Sequence, residues 1–106
     1  MKALHIDQRE FQELLKGEKP LLVDYWAPWC GYCRRIAPAF EKIADSREDI
    51  VFAKVNIDEE PLLANEANIE VIPTLVLYKD GKAADFVIAP NSKLAIEAFI
   101  EKGLQQ

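Results

Sequence analysis

The residues able to do chemistry in this sequence are few and close together. The chain has two cysteines, and they stand as Cys30-Gly31-Tyr32-Cys33. That spacing admits three readings. As half of a zinc site it lacks partners: zinc takes four ligands, His5 is the only histidine, and there is no second cysteine pair. As a pair of small buried hydrophobes it would sit oddly with Gly31-Tyr32 between the sulfurs and Trp29 beside them. The third reading is a redox dithiol closing a disulfide across two residues, and the surroundings favour it. No metal centre is expected.

A dithiol needs elements that hold one sulfur as the thiolate, the species that attacks disulfides. Leu21 to Trp26 is a short, almost wholly apolar run, as suits a strand covered on both faces. From Cys33 onward, Ile36, Ala37, Phe40, Ile43 and Ala44 trace one helix face. The period continues past Pro38, which is expected to bend this helix rather than end it. The cysteines thus open a helix fed by a buried strand, at the carboxyl end where such sheets place their sites. Unpaired N–H groups and the dipole at that helix end favour negative charge on Cys30. Arg34 and Arg35 add positive charge within a turn. Cys33 is the first of the inward positions and is expected to be the less exposed sulfur, so Cys30 attacks and Cys33 resolves.

Two further residues carry charge where the pattern is apolar. Asp24 interrupts its strand on the face shared with Leu22 and Trp26. Burial there would raise its pKa, and a carboxyl so placed can carry the proton of the buried thiol. Lys54 is equally out of place in its own strand and is a candidate neighbour of Asp24. His5 is remote from this cluster in sequence and reads as incidental.

The remaining elements follow from caps and turns. Asp7 and Glu10 can form a capping box before a helix lined by Phe11, Leu14 and Leu15, which Gly17 stops. Ile50 to Ile57 reads as a buried strand, Pro61 and Asn68 bound a short helix, and Thr74 to Tyr78 is another strand. Asp80-Gly81 is hairpin chemistry leading into a strand at Ala83 to Ile88. Ser92 caps a last helix with Leu94, Ala95, Ala98 and Phe99 directed inward, and a weak strand at Ala3 to Ile6 opens the chain. The order β-α-β-α-β-α-β-β-α predicts an α/β fold, a central mixed sheet of about five strands with helices on both faces.

The whole chain has 106 residues, one domain's length, and residues 1–106 are expected to form that single domain. Thirteen basic against eighteen acidic residues leave a net charge of -5, which argues against nucleic acid or an anionic membrane surface as partner. No apolar run approaches the ~20 residues of a membrane span. Met1-Lys2-Ala3-Leu4-His5-Ile6-Asp7 meets an acidic residue before any long apolar stretch, so no secretory leader is expected and the location read is cytoplasmic.

Asp24-Tyr25-Trp26-Ala27-Pro28-Trp29-Cys30-Gly31-Tyr32-Cys33 followed by Ile36-Ala37-Pro38 resembles thioredoxin. The resemblance continues through Asn56-Ile57-Asp58, Ile72-Pro73-Thr74-Leu75 and Tyr78-Lys79-Asp80-Gly81, nearly the whole chain. It implies the thioredoxin fold and a protein-disulfide reductase that is a monomer, holds no cofactor beyond its own Cys30-Cys33 disulfide, acts on disulfide-containing proteins and is re-reduced by a thioredoxin reductase. It makes Cys30 the nucleophile, Cys33 the resolving thiol, Asp24 the buried proton carrier and Lys54 its neighbour. Trp29, Gly31, Tyr32, Ile72 and Pro73 become the substrate surface, with Pro73 a cis-proline facing the cysteines. The alternatives are an oxidase- or isomerase-like or partner-specific member, or a docking module without redox activity.

Two positions depart from the family. Tyr32 stands where proline is usual, and brings an N–H that is expected to point at the Cys30 sulfur and tune its potential. Ala89-Pro90 replaces the glycine and small residue common beside the substrate groove, where a methyl and a ring limit close approach.

Overall fold

The computed structural model describes residues 2–106. Five strands and four helices follow the expected order: β1 Leu4–His5, α1 Gln8–Leu15, β2 Leu21–Trp26, α2 Gly31–Ser46, β3 Val51–Asn56, α3 Pro61–Glu66, β4 Thr74–Lys79, β5 Lys82–Ile88 and α4 Lys93–Leu104. The strands form one sheet in the order β1-β3-β2-β4-β5. β1, β3 and β2 are mutually parallel, while β4 runs antiparallel to β2 and β5 antiparallel to β4.

Period two along β2 divides its side chains between two cores. Leu22 joins Phe40 and Ile43 of α2 and Ile96 and Ile100 of α4 on one face. Leu21, Val23 and Tyr25 join Phe11 of α1 and Leu63 of α3 on the other. Each fully buried aliphatic or aromatic side chain contributes about 1.5–3 kcal/mol. Asp24 lies on the first of these faces, with zero exposure. The Tyr25 and Tyr78 hydroxyls satisfy each other inside the second core at 2.7 Å.

The helix boundaries obey local chemistry. Both halves of the Asp7–Glu10 capping box are made, each at 2.9 Å. Ser92 accepts the Ala95 N–H at the start of α4. Asn68 closes α3 at φ 58°, and Asp80 and Gly81 turn the hairpin at φ 53° and 77°, the paired positive values of a type I′ turn. Gly17 follows the end of α1, as expected, without a left-handed cap. Lys16 is the C-cap in right-handed geometry, and Gly81 is the only glycine at positive φ among the described residues.

One helix face differs from the reading of the sequence. α4 buries Ile96, Phe99, Ile100 and Gly103, whereas Leu94 is 78% exposed and Ala98 lies outward. The true stripe ends in glycine, which has no hydropathy signal, so the pattern looked shifted toward the alanines. A Cβ on Gly103 would run into Leu77 Cδ2, and its absence lets α4 sit directly on β4. Lys79 of β4 then donates to the last carbonyls of that helix, Gly103 and Leu104, at 3.2 and 3.3 Å.

Candidate active site

β2 ends at Trp26, and four residues later Cys30 is the N-cap of α2. The N-cap position leaves the first amides of the helix without intrahelical acceptors. Here one of them is taken by sulfur: the Cys33 N–H donates to Cys30 Sγ at 3.1 Å. The two cysteines are disulfide-bonded with Cα atoms 5.3 Å apart. Cys33 is 2% exposed and Cys30 8%, so the sulfurs differ in the expected direction, though both are well covered. The Tyr32 N–H, expected at the Cys30 sulfur, is not the donor there. The helical turn carries the Cys33 amide to that place instead.

The other half of the site comes from distant sequence. The Ile72–Pro73 peptide bond is cis, and the Ile72 carbonyl oxygen lies 4.0 Å from Cys30 Sγ. Trp29 is 65% exposed beside the disulfide, with its indole N–H donating to Asp58 at 3.0 Å. Asp58 is held in turn, its own N–H donating to the Asn56 side chain at 2.9 Å. Gly31 opens the helix on its exposed side. The Tyr32 hydroxyl reaches across to the Ala89 and Pro90 carbonyls. Arg34 spends its guanidinium on the Pro28 carbonyl at 2.7 Å, bracing the turn that presents the cysteines.

The β3–β2 register sets Lys54 directly opposite Asp24. They are neighbours without being bonded. Neither carboxylate oxygen of Asp24 has a hydrogen-bond partner, and the Lys54 ammonium lies 4.9 Å from the centre of the Trp26 ring. Desolvation pushes the Asp24 pKa up to about 7, with Lys54 pulling it down and Glu41 of α2 raising it further. A carboxyl near pH 7 can take and return a proton at physiological pH. His5, remote in sequence, is brought into the same row: β1–β3 pairing sets it opposite Lys54, and its ring stands edge-on to Trp26 with centroids 6.0 Å apart.

Nothing in the sequence marked Asp58 as the partner of Trp29, or Ala89 and Pro90 as partners of Tyr32. Asp58 did stand in one of the segments that carry the family resemblance, the one available hint. Among the described residues no three His, Cys, Asp or Glu side chains are grouped to hold a metal ion, and no helix is long and apolar enough to cross a membrane.

The thioredoxin family model matches residues 2–102. A thioredoxin from Alicyclobacillus acidocaldarius is 42% identical over 104 residues, covering 97% of this chain and 99% of that protein. Thioredoxin 1 of a Nostoc species is 44% identical over 94 residues, 88% of each. The solved structure of Plasmodium falciparum thioredoxin superposes with a TM-score of 0.87 at 33% identity, over 94% of this chain and 98% of that one. With this fold, this cysteine pair and these relatives, the chain belongs to the thioredoxin family and is a thiol–disulfide oxidoreductase.

Proposed function

We propose that Cys30 is the nucleophile and Cys33 the resolving thiol of a protein-disulfide reductase. The observation that carries this is the Cys30 sulfur at the N-cap of α2, accepting the Cys33 N–H at 3.1 Å, where negative charge is stabilised. In the reduced protein, the Cys30 thiolate attacks one sulfur of a substrate disulfide. That S–S bond breaks, a mixed disulfide forms, and the other substrate sulfur leaves as a thiolate. Cys33 gives its proton to Asp24 and attacks Cys30 Sγ, which releases the second substrate sulfur and closes the Cys30–Cys33 bond. Two electrons have then passed from the cysteine pair to the substrate. A thioredoxin reductase returns them.

Lys54 keeps Asp24 from rising so far that it could no longer release its proton. Trp29, Gly31, Ile72 and Pro73 form the surface against which the substrate segment lies. The acidic balance of the chain suits protein substrates rather than nucleic acid. The unit at work is one domain, residues 1–106, acting as a cytoplasmic monomer.

Cys33→Ser is expected to accumulate a covalent mixed disulfide with an oxidised substrate protein, visible on a non-reducing gel, whereas Cys30→Ser traps almost none. Equal trapping by both variants would overturn the assignment. Turnover of a disulfide-bonded protein with NADPH and a thioredoxin reductase tests the direction of electron flow.

A further inference from the structure

Tyr32 ties together three segments around the disulfide. Its hydroxyl lies 3.3 Å from the carbonyl oxygens of both Ala89 and Pro90 and can donate to either. The Arg35 guanidinium covers its ring at 5.5 Å. Ala89 donates its own N–H to the Pro73 carbonyl at 2.8 Å. It does so at φ 47°, left-handed backbone that a residue with a Cβ rarely adopts. The loop that follows β5 is therefore held from two sides, by the residue after Ile72 and by the residue before Cys33. Ile72 in turn lies against Cys30 Sγ. The reactive sulfur has two backbone walls beside it, 72–73 and 89–90.

These walls are not equally open to a visitor. An extended chain docks on backbone through main-chain hydrogen bonds, which need free acceptors and close approach. At 89–90 the single phenol O–H lies within reach of both carbonyls and engages one of them at a time, and Pro90 has no N–H to offer. We propose that Tyr32 is a specificity-determining residue: its hydroxyl closes the 89–90 wall and turns the site toward small or flexible disulfides. Disulfides whose flanking backbone must dock along both walls are disfavoured. This rests on thiol exchange at Cys30, as proposed above.

Tyr32→Phe removes the hydroxyl and keeps the ring, the backbone N–H and the stacking of Arg35. The test is steady-state turnover with thioredoxin reductase and NADPH on two substrates, a disulfide held within a folded protein and cystine. In the variant the ratio of kcat/KM for the folded substrate to that for cystine is expected to rise about fivefold, through KM, the worth of one main-chain hydrogen bond regained. Its reduction potential stays that of the parent, since the Cys33 donor to sulfur is untouched. A ratio that is unchanged or lower overturns the proposal, as does a shifted potential, which would place the effect of Tyr32 on the sulfur itself. A parent protein that reduces neither substrate would overturn the exchange reading instead.

Discussion

At the residue scale the governing cost is a carboxyl group with no partner. Asp24 is fully buried, neither oxygen is bonded, and its pKa is about 7. In the unfolded chain it ionises near 3.9. Below that value both states are protonated and no penalty exists. Between about 4 and 7 the unfolded state releases a proton that the native state retains, so stability falls as pH rises. The loss reaches on the order of 4 kcal/mol above the folded value. Asp24→Ala is therefore expected to be more stable than the parent at pH 8, with the advantage vanishing near pH 4. Denaturant melts of the oxidised proteins at the two pH values check this. The same variant is expected to resolve mixed disulfides more slowly in single-turnover kinetics if Asp24 takes the Cys33 proton as proposed. A destabilised, fully active variant would make Asp24 an ordinary structural carboxylate.

At the scale of elements, α4 shows how closely a helix can be seated when one residue has no side chain. Gly103 faces the fully buried Leu77 with no room for a methyl between them. Gly103→Ala gains about 1 kcal/mol of helix propensity but overpacks a core position, which costs about 1–3 kcal/mol. Leu77 is enclosed on the core face with Ile96 and Ile100, so it has little freedom to rotate away. The packing loss is expected to win, for a net destabilisation of about 1 kcal/mol in thermal or denaturant unfolding. A stabilised variant would mean that Leu77 finds another rotamer without strain.

Across the whole molecule, sheet order decides which charges meet. The β1-β3-β2 arrangement lines up His5, Lys54 and Asp24 in one cross-strand row, although they lie far apart in the chain. The Lys54 charge lowers the Asp24 pKa against the opposing pulls of burial and Glu41. Lys54→Met keeps the length and apolar stem of the side chain while removing the charge. It is expected to raise the Asp24 midpoint above about 7 and to extend the pH range of stability loss upward. Carbon-13 titration of the Asp24 carboxyl measures this directly. A midpoint that stays in place or falls would show that the two groups are electrically independent.

Everything written in local pattern was legible along the chain. Strand and helix periods, the Asp7–Glu10 box, the Asp80-Gly81 turn and the cysteine spacing each act within a few residues, so each is readable from its own neighbourhood. The oddness of Asp24 and Lys54 was readable for the same reason, as charge breaking an apolar run. Their meeting was not, because register belongs to the pairing of β2 with β3 and to neither strand alone. The inward face of α4 escaped because Gly103 contributes by lacking atoms, and only the position of Leu77 gives that absence meaning. The bonds from Trp29 to Asp58 and from Tyr32 to residues 89–90 join segments 29 to 58 positions apart. No pattern along the chain encodes such contacts. They exist because the sheet brings the start of α2, the turn after β3 and the loop after β5 to one end of the molecule.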